Sequence, residues 1–177
     1  MAEFSNIKID SSRLYIKPLT YNQLIMYKDL DYALEAEFGL LPINRTITPE
    51  FKLTIENYLI PYIKDNPDYI LFATIWIIVH KDENNIVGDI GFNAGPSEKG
   101  VIEVGYCTYP EFYNKGYMTE ALRSIVHWAF SYEKVQIIIA QTDKDNFPTH
   151  RVLQKNHFEP FAEADNFYWW RLDKEIN

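Results

Sequence analysis

The chain has 177 residues, a formal net charge of −8, and 47% hydrophobic and 16% aromatic residues. Those values fit one globular domain, 1–177, with a sizeable core, and exclude a disordered chain. They also argue against a nucleic-acid partner, which calls for a basic face, and against a membrane span, because apolar runs such as Ile75-Trp76-Ile77-Ile78-Val79 are far too short.

In chain order, residues 12–19 alternate apolar and polar side chains and read as a first strand closed by Pro18. Thr20 then caps a helix carried by Leu24, Ile25, Tyr27 and Leu30 to about Phe38. Thr48 as cap and Pro49 at the first position start a second helix, with Pro61 as a kink and Asn66-Pro67-Asp68 as its end. Residues 71–80 are almost continuously apolar, as a central strand would be. A turn at 82–85 leads to a strand over 86–92, which Gly88 and Gly91 weaken. After another turn comes Val101-Ile102-Glu103-Val104-Gly105-Tyr106-Cys107-Thr108, rich in β-branched and aromatic residues.

The central signal follows. Met118, Ala121, Leu122, Ile125, Val126 and Ala129 recur at helical spacing, so an amphipathic helix starts after the loop Tyr113-Asn114-Lys115-Gly116. A strand, a glycine loop and a helix start make an anion site, because unpaired N–H groups and the helix dipole point into the loop. Lys115 adds a cation and Thr119 a hydroxyl. Residues 135–141 then form a strand, Asn146 caps a short helix to Asn156, and residues 159–164 and 167–172 form a terminal hairpin.

From Glu103 to Phe158 the chain resembles the GNAT superfamily of acyl-CoA-dependent N-acyltransferases, most closely the ribosomal-protein N-terminal acetyltransferase branch. Glu103-Val104-Gly105-Tyr106, Pro110-Glu111 and Tyr113-Asn114-Lys115-Gly116-Tyr117-Met118-Thr119-Glu120-Ala121 carry the likeness. Downstream, Asp143, Asn146, Thr149, Val152, Lys155, His157 and Phe158 keep the branch's spacing. The resemblance implies an α+β fold: a mixed, mostly antiparallel twisted sheet of about seven strands flanked by four helices. It further implies an N-acetyltransferase that uses acetyl-CoA by direct attack. The acceptor would be a primary amine, either a peptide or protein N-terminus or a small amine. A non-catalytic acyl-CoA-binding module and a transferase of longer acyl groups are the alternatives. No metal, nucleic acid or membrane is called for, and a homodimer is admitted.

By the same resemblance, the backbone of Asn114, Lys115, Gly116, Tyr117, Met118 and Thr119 would cradle the coenzyme A diphosphate. Tyr113 and Asn114 depart from the usual pattern, but Asn tolerates positive φ. The pantetheine arm would pair with Tyr106, Cys107 and Thr108, helped by a bulge near Gly105, and would contact Asn146. Asn146 also reads as a plain helix cap, and Cys107 as a small buried residue rather than a nucleophile. Glu103 matches the branch's base, which would deprotonate the amine directly or through water. Thr149 and Tyr106 compete as donors to the departing sulfur. His80, His127, His150 and His157 show no ligand spacing and read as structural or surface residues. Tyr168-Trp169-Trp170 could wall a pocket or fill the core. A single cysteine and the lack of a signal-like N-terminus point to a cytoplasmic location.

Overall fold

A computed structural model of the protein describes residues 7–175. Its strands are β1 (Ile9–Asp10), β2 (Leu14–Pro18), β3 (Ile75–His80), β4 (Asn85–Phe92), β5 (Val101–Thr108), β6 (Ile137–Asp143), β7 (Glu159–Ala164) and β8 (Phe167–Asp173). They form one sheet in the order β1-β2-β3-β4-β5-β6-β8-β7. Every neighbouring pair is antiparallel except β5 with β6. The mixed α+β architecture is the expected one, with eight strands instead of about seven. The additional strand is β1, whose two residues are too few to display alternation.

Six α-helical segments stand where four helices were expected: α1 (Tyr21–Asp29), α2 (Ala33–Phe38), α3 (Pro49–Thr54), α4 (Ile60–Asp65), α5 (Tyr117–Phe130) and α6 (Phe147–Lys155). The helix expected over 20–38 breaks because Leu30 and Tyr32 adopt left-handed backbone, at φ 56° and 61°. Thr20 caps α1 as anticipated, in a reciprocal box with Gln23. The Pro61 kink takes the form of a π turn, Ile55–Leu59, where the Ile60 N–H donates to the Ile55 carbonyl. Proline lacks an N–H and crowds the carbonyl four residues back, and the wider turn relieves both problems. The strand expected over 71–80 begins only at Ile75, because Pro67–Phe72 winds as a 3-10 helix.

Alternation along the strands divides the sheet into two faces. On one face Trp76, Ile78 and Ile90 meet α5, and the Trp76 and Trp128 rings lie 4.7 Å apart. The other face is covered at β3 and β4 by the segment from α1 to the loop after α2. There the Tyr27 hydroxyl donates to Asp89 Oδ2 at 2.8 Å. Arg45 forks onto Glu35 at 2.6 and 3.2 Å and also donates to the Tyr27 carbonyl at 2.8 Å. Burial pushes the Asp89 carboxyl up to about 6, against the opposing pull of the hydrogen bond from Tyr27, the nearby Tyr109 hydroxyl and the charge of Arg45.

Gly88 holds β4 against β5, since a Cβ there would collide with the Cys107 carbonyl oxygen. The glycine serves close approach of two backbones rather than merely weakening the strand. The bulge expected near Gly105 is not in the ladder: β4 and β5 keep one register from Gly88↔Thr108 to Phe92↔Val104. The sheet opens on the other side of β5. Its parallel pairing with β6 ends at Glu103↔Ile139, and beyond that rung the two strands part.

Candidate active site

The parting of β5 and β6 creates a cleft. Its inner part is lined by Val104, Gly105 and Tyr106 on one side and Ala140, Gln141 and Thr142 on the other. Tyr106, Asn146 and Thr149 also border the outer part, a cavity of about 500 Å³ reaching the loop before α5. The backbone edge of β5 past Glu103 has no partner strand on this side, so its polar groups are open to an extended ligand.

At the outer end, Asn114 and Gly116 both take left-handed backbone, at φ 60° and 78°. The Asn tolerance argued from the sequence is thus used. Gly116 caps α5 without any side-chain bond to the first turn, leaving the early N–H groups of the helix for another acceptor. Tyr117 and Met118 bury their side chains, so what they offer the cleft is backbone. Asn114, Gly116 and Thr119 border it too, and the Thr119 carbonyl accepts from Asn156 Nδ2 at 3.2 Å, tying α5 to α6. Lys115 turns its ammonium over the Phe112 ring, 5.1 Å from the centroid.

The cations that line the outer part of the cleft are Arg151 and Lys155, with no Asp or Glu among its lining residues, while Asp143 borders the inner part. Arg151 was missed in the sequence. The signal was available: Pro148, Arg151, Val152 and Lys155 follow helical i, i+3, i+4, i+7 spacing and all face the cavity. Phe167, on the terminal hairpin, was likewise missed and borders the inner part. A net acidic chain thereby presents a locally cationic mouth.

Tyr106 and Thr149 are brought together, with the Tyr106 hydroxyl 3.5 Å from the Thr149 carbonyl oxygen. Burial raises the Tyr106 phenol, so it stays protonated. The Asn146 side chain accepts from the Thr149 N–H at 3.3 Å, which is the helix-cap arrangement. Glu103 stands apart: three residues from Tyr106 along a strand, it points to the opposite face. Its carboxyl is half-buried and raised by that burial, with a bond from Asn93 pulling the other way. Cys107, on Glu103's face, is exposed instead of buried as expected. Although the residue reaches the surface, the protein packed around one side of the thiol desolvates it, and this with the nearby Asp89 carboxylate pushes it up to about 11, which opposes a nucleophilic thiolate. Thr108 completes the strand edge beside the cavity.

The histidines take structural roles or lie at the surface. His80 accepts from the Glu83 N–H at 3.1 Å and packs on Tyr117, while His150 packs among Phe147, Tyr168 and Trp170. His127 is exposed, and His157 sits at φ 64° where the branch has glycine. Of the aromatic triplet, Trp170 is core and donates to Thr142 Oγ1 at 2.9 Å. Among the described residues no group of three or more His, Cys, Asp or Glu comes together, and no helix is long and apolar enough to cross a membrane.

A parallel strand pair that parts beside a glycine-capped helix start is the geometry that the resemblance to the acetyltransferases calls for. Comparison with known proteins agrees. The acetyltransferase (GNAT) domain family matches residues 48–159, and the chain belongs to that family. It is 42% identical over 95 residues to an uncharacterized N-acetyltransferase, YjdG, of Bacillus subtilis, covering 54% of this chain and 56% of that protein. A second B. subtilis protein, the uncharacterized N-acetyltransferase YnaD, is 32% identical over 78 residues, or 44% of this chain and 45% of its own length. The chain thus spans about half the length of the curated relatives it matches. The fold is similar to that of RimL, a ribosomal L7/L12 α-N-protein acetyltransferase solved with coenzyme A. The TM-score there is 0.67 at 15% identity, over 94% of this chain and 98% of the other. It is also similar to a ribosomal-protein-S5-alanine acetyltransferase from Vibrio fischeri, with a TM-score of 0.67 at 17% identity over 94% and 96%.

Proposed function

We propose that this protein is an N-acetyltransferase that takes its acyl group from acetyl-CoA and passes it to a primary amine by direct attack. The observation that carries the reading is the cleft itself. An unpaired strand edge at one end and a helix start with Arg151 and Lys155 at the other suit a long, thin molecule with an anionic end. The amides of residues 114–119 would hold the diphosphate, and the edge of Tyr106, Cys107 and Thr108 the pantetheine arm. Bound acetyl-CoA supplies the activated acyl group as a thioester.

Two sides of the opening divide the remaining chemistry. Tyr106 and Thr149 share the inner and outer parts of the cleft, and either hydroxyl can donate to sulfur as negative charge builds there. Glu103 faces the opposite side, so the acceptor amine approaches from there. Gly105 leaves that approach open, because a Cβ built on it meets nothing within 4 Å. An incoming ammonium must lose a proton before it can attack, and the burial-raised Glu103 carboxyl is the better base for it, directly or through water. A direct transfer also agrees with the raised Cys107 thiol, which is a poor acyl acceptor.

The test is thiol release from acetyl-CoA across a panel of small amines and peptides with free N-termini. Turnover with one class identifies the acceptor. Tight acetyl-CoA binding without turnover on any amine would replace the enzyme by an acyl-CoA-binding module.

A further inference from the structure

The first turn of α5 carries a residue that the mechanism leaves unused, Glu120, and it meets the equally unused Arg13 from the turn between β1 and β2. Arg13 Nε donates to Glu120 Oε2 at 2.8 Å, and the Arg13 backbone N–H and the Ser11 hydroxyl both donate to Glu120 Oε1 at 2.8 Å. The guanidinium carries on into the loop. Its Nη1 donates to the Lys115 carbonyl at 3.0 Å, and its carbon lies 4.7 Å from the centre of the Tyr117 ring. Its Nη2 lies 3.6 Å from where a Cβ on Gly116 would be. One side chain therefore touches Lys115, Gly116, Tyr117 and Glu120, across 102 residues of sequence.

We propose that Arg13 is a positioning residue that fixes the peptide between Lys115 and Gly116 in the orientation that receives a diphosphate. A trans peptide is planar, with its carbonyl oxygen and amide hydrogen on opposite sides. Pinning the Lys115 oxygen on the Arg13 side therefore turns the Gly116 N–H away from Arg13, toward the cleft that Gly116 lines. Glycine gives this peptide little resistance to rotation, since Gly116 at φ 78° can also adopt negative φ at no steric cost. Released, the carbonyl could swing into the cleft and oppose an anion. Glu120 and Ser11 keep the guanidinium in place. Burial alone would raise the Glu120 carboxyl, but the bonds from Arg13 and Ser11 hold it below the ordinary range, so the clasp stays charged at neutral pH.

The inference rests on the coenzyme A reading above, and the test separates the two. Arg13→Met keeps an aliphatic stem over Tyr117 and the backbone N–H to Glu120, but removes every side-chain donor. Calorimetric titration of the folded variant with coenzyme A and with pantetheine, which lacks the diphosphate, gives the readout. The expected result is a Kd for coenzyme A raised about tenfold, the scale of one charge-assisted hydrogen bond, with the Kd for pantetheine unchanged. Glu120→Gln should move the same ratio in the same direction by less, and it carries the test should Arg13→Met fail to fold. Equal losses for both ligands, or none for coenzyme A, overturn the role of Arg13. A parent protein that binds neither ligand overturns the coenzyme A reading, and this role with it.

Discussion

The two faces of the sheet are built by different means. On the cleft side, the opening is made of backbone: two left-handed residues, a helix start and an unpaired strand edge, all within residues 103–119. On the other side, the layer over β3 and β4 is joined by buried side chains from distant points, Tyr27 with Asp89 and Arg45 with Glu35. Local backbone geometry leaves a motif, because each residue type answers to its own φ and ψ. Buried polar pairs leave none, because each partner is ordinary without the other. The first construction should therefore respond to mutation in ligand binding or turnover, and the second in stability.

The largest expected effect lies in the buried layer. Arg45→Met leaves Glu35 as an unpaired carboxylate in the interior, since both side chains are 1% exposed. It should cost about 3–5 kcal/mol in chemical denaturation, with coenzyme A affinity of the folded fraction unchanged. A large affinity loss would erase the division between the faces.

Asp89 gives the same layer a pH signature. Its carboxyl is raised from 3.8 in the unfolded chain to about 6 in the fold. The folded state therefore holds that proton more tightly. The stability it contributes is fully present below pH 3.8 and is lost as pH rises through about 6. Asp89→Asn should gain on the parent by up to about 3 kcal/mol between those limits. Parallel stability curves across that window would show Asp89 titrating normally.

On the cleft side, Thr149→Val conserves shape and removes the hydroxyl. If that hydroxyl donates to sulfur, turnover should fall on the order of 10²-fold with acetyl-CoA affinity retained, and Thr149→Ser should stay active. Should Tyr106→Phe show the loss instead, the donor role passes to Tyr106. A pure stability loss at Thr149 would leave a helix-start residue.

Of similar size near neutral pH, but fading above it, is Glu103→Gln, expected to lower turnover on the order of 10²-fold, with the deficit shrinking as pH rises and free amine becomes abundant. A pH–rate profile that matches the parent would leave Glu103 as a structural carboxylate.

Much of the cleft side was legible in advance. Gly116 and Asn114 were read as loop residues that tolerate positive φ, Asn146 as a cap, and α5 from its apolar spacing, and the structure has each in that form. Less legible were features set by one part of the chain acting on another. The helix over 20–38 looked continuous because its apolar spacing continues through Leu30, yet left-handed backbone at Leu30 and Tyr32 turns it. Leu71 and Phe72 share the apolar character of the strand that follows, but they close the 3-10 turn that starts at Pro67.

By itself, then, the sequence determined most of the order of elements, the mixed α+β class and the backbone form of the loop before α5. Periodicity, capping and glycine placement act over a few residues and leave local marks. Only the tertiary structure decided that β5 and β6 part beyond Glu103, which makes the strand alternation of Glu103 and Tyr106 into two sides of an opening. It alone also set Arg13 against Lys115 and Glu120, and sank Asp89 beneath Tyr27. Such juxtapositions depend on where a strand stops pairing and which distant side chain fills the space. They arise from long-range packing, for which a single chain carries no local sign.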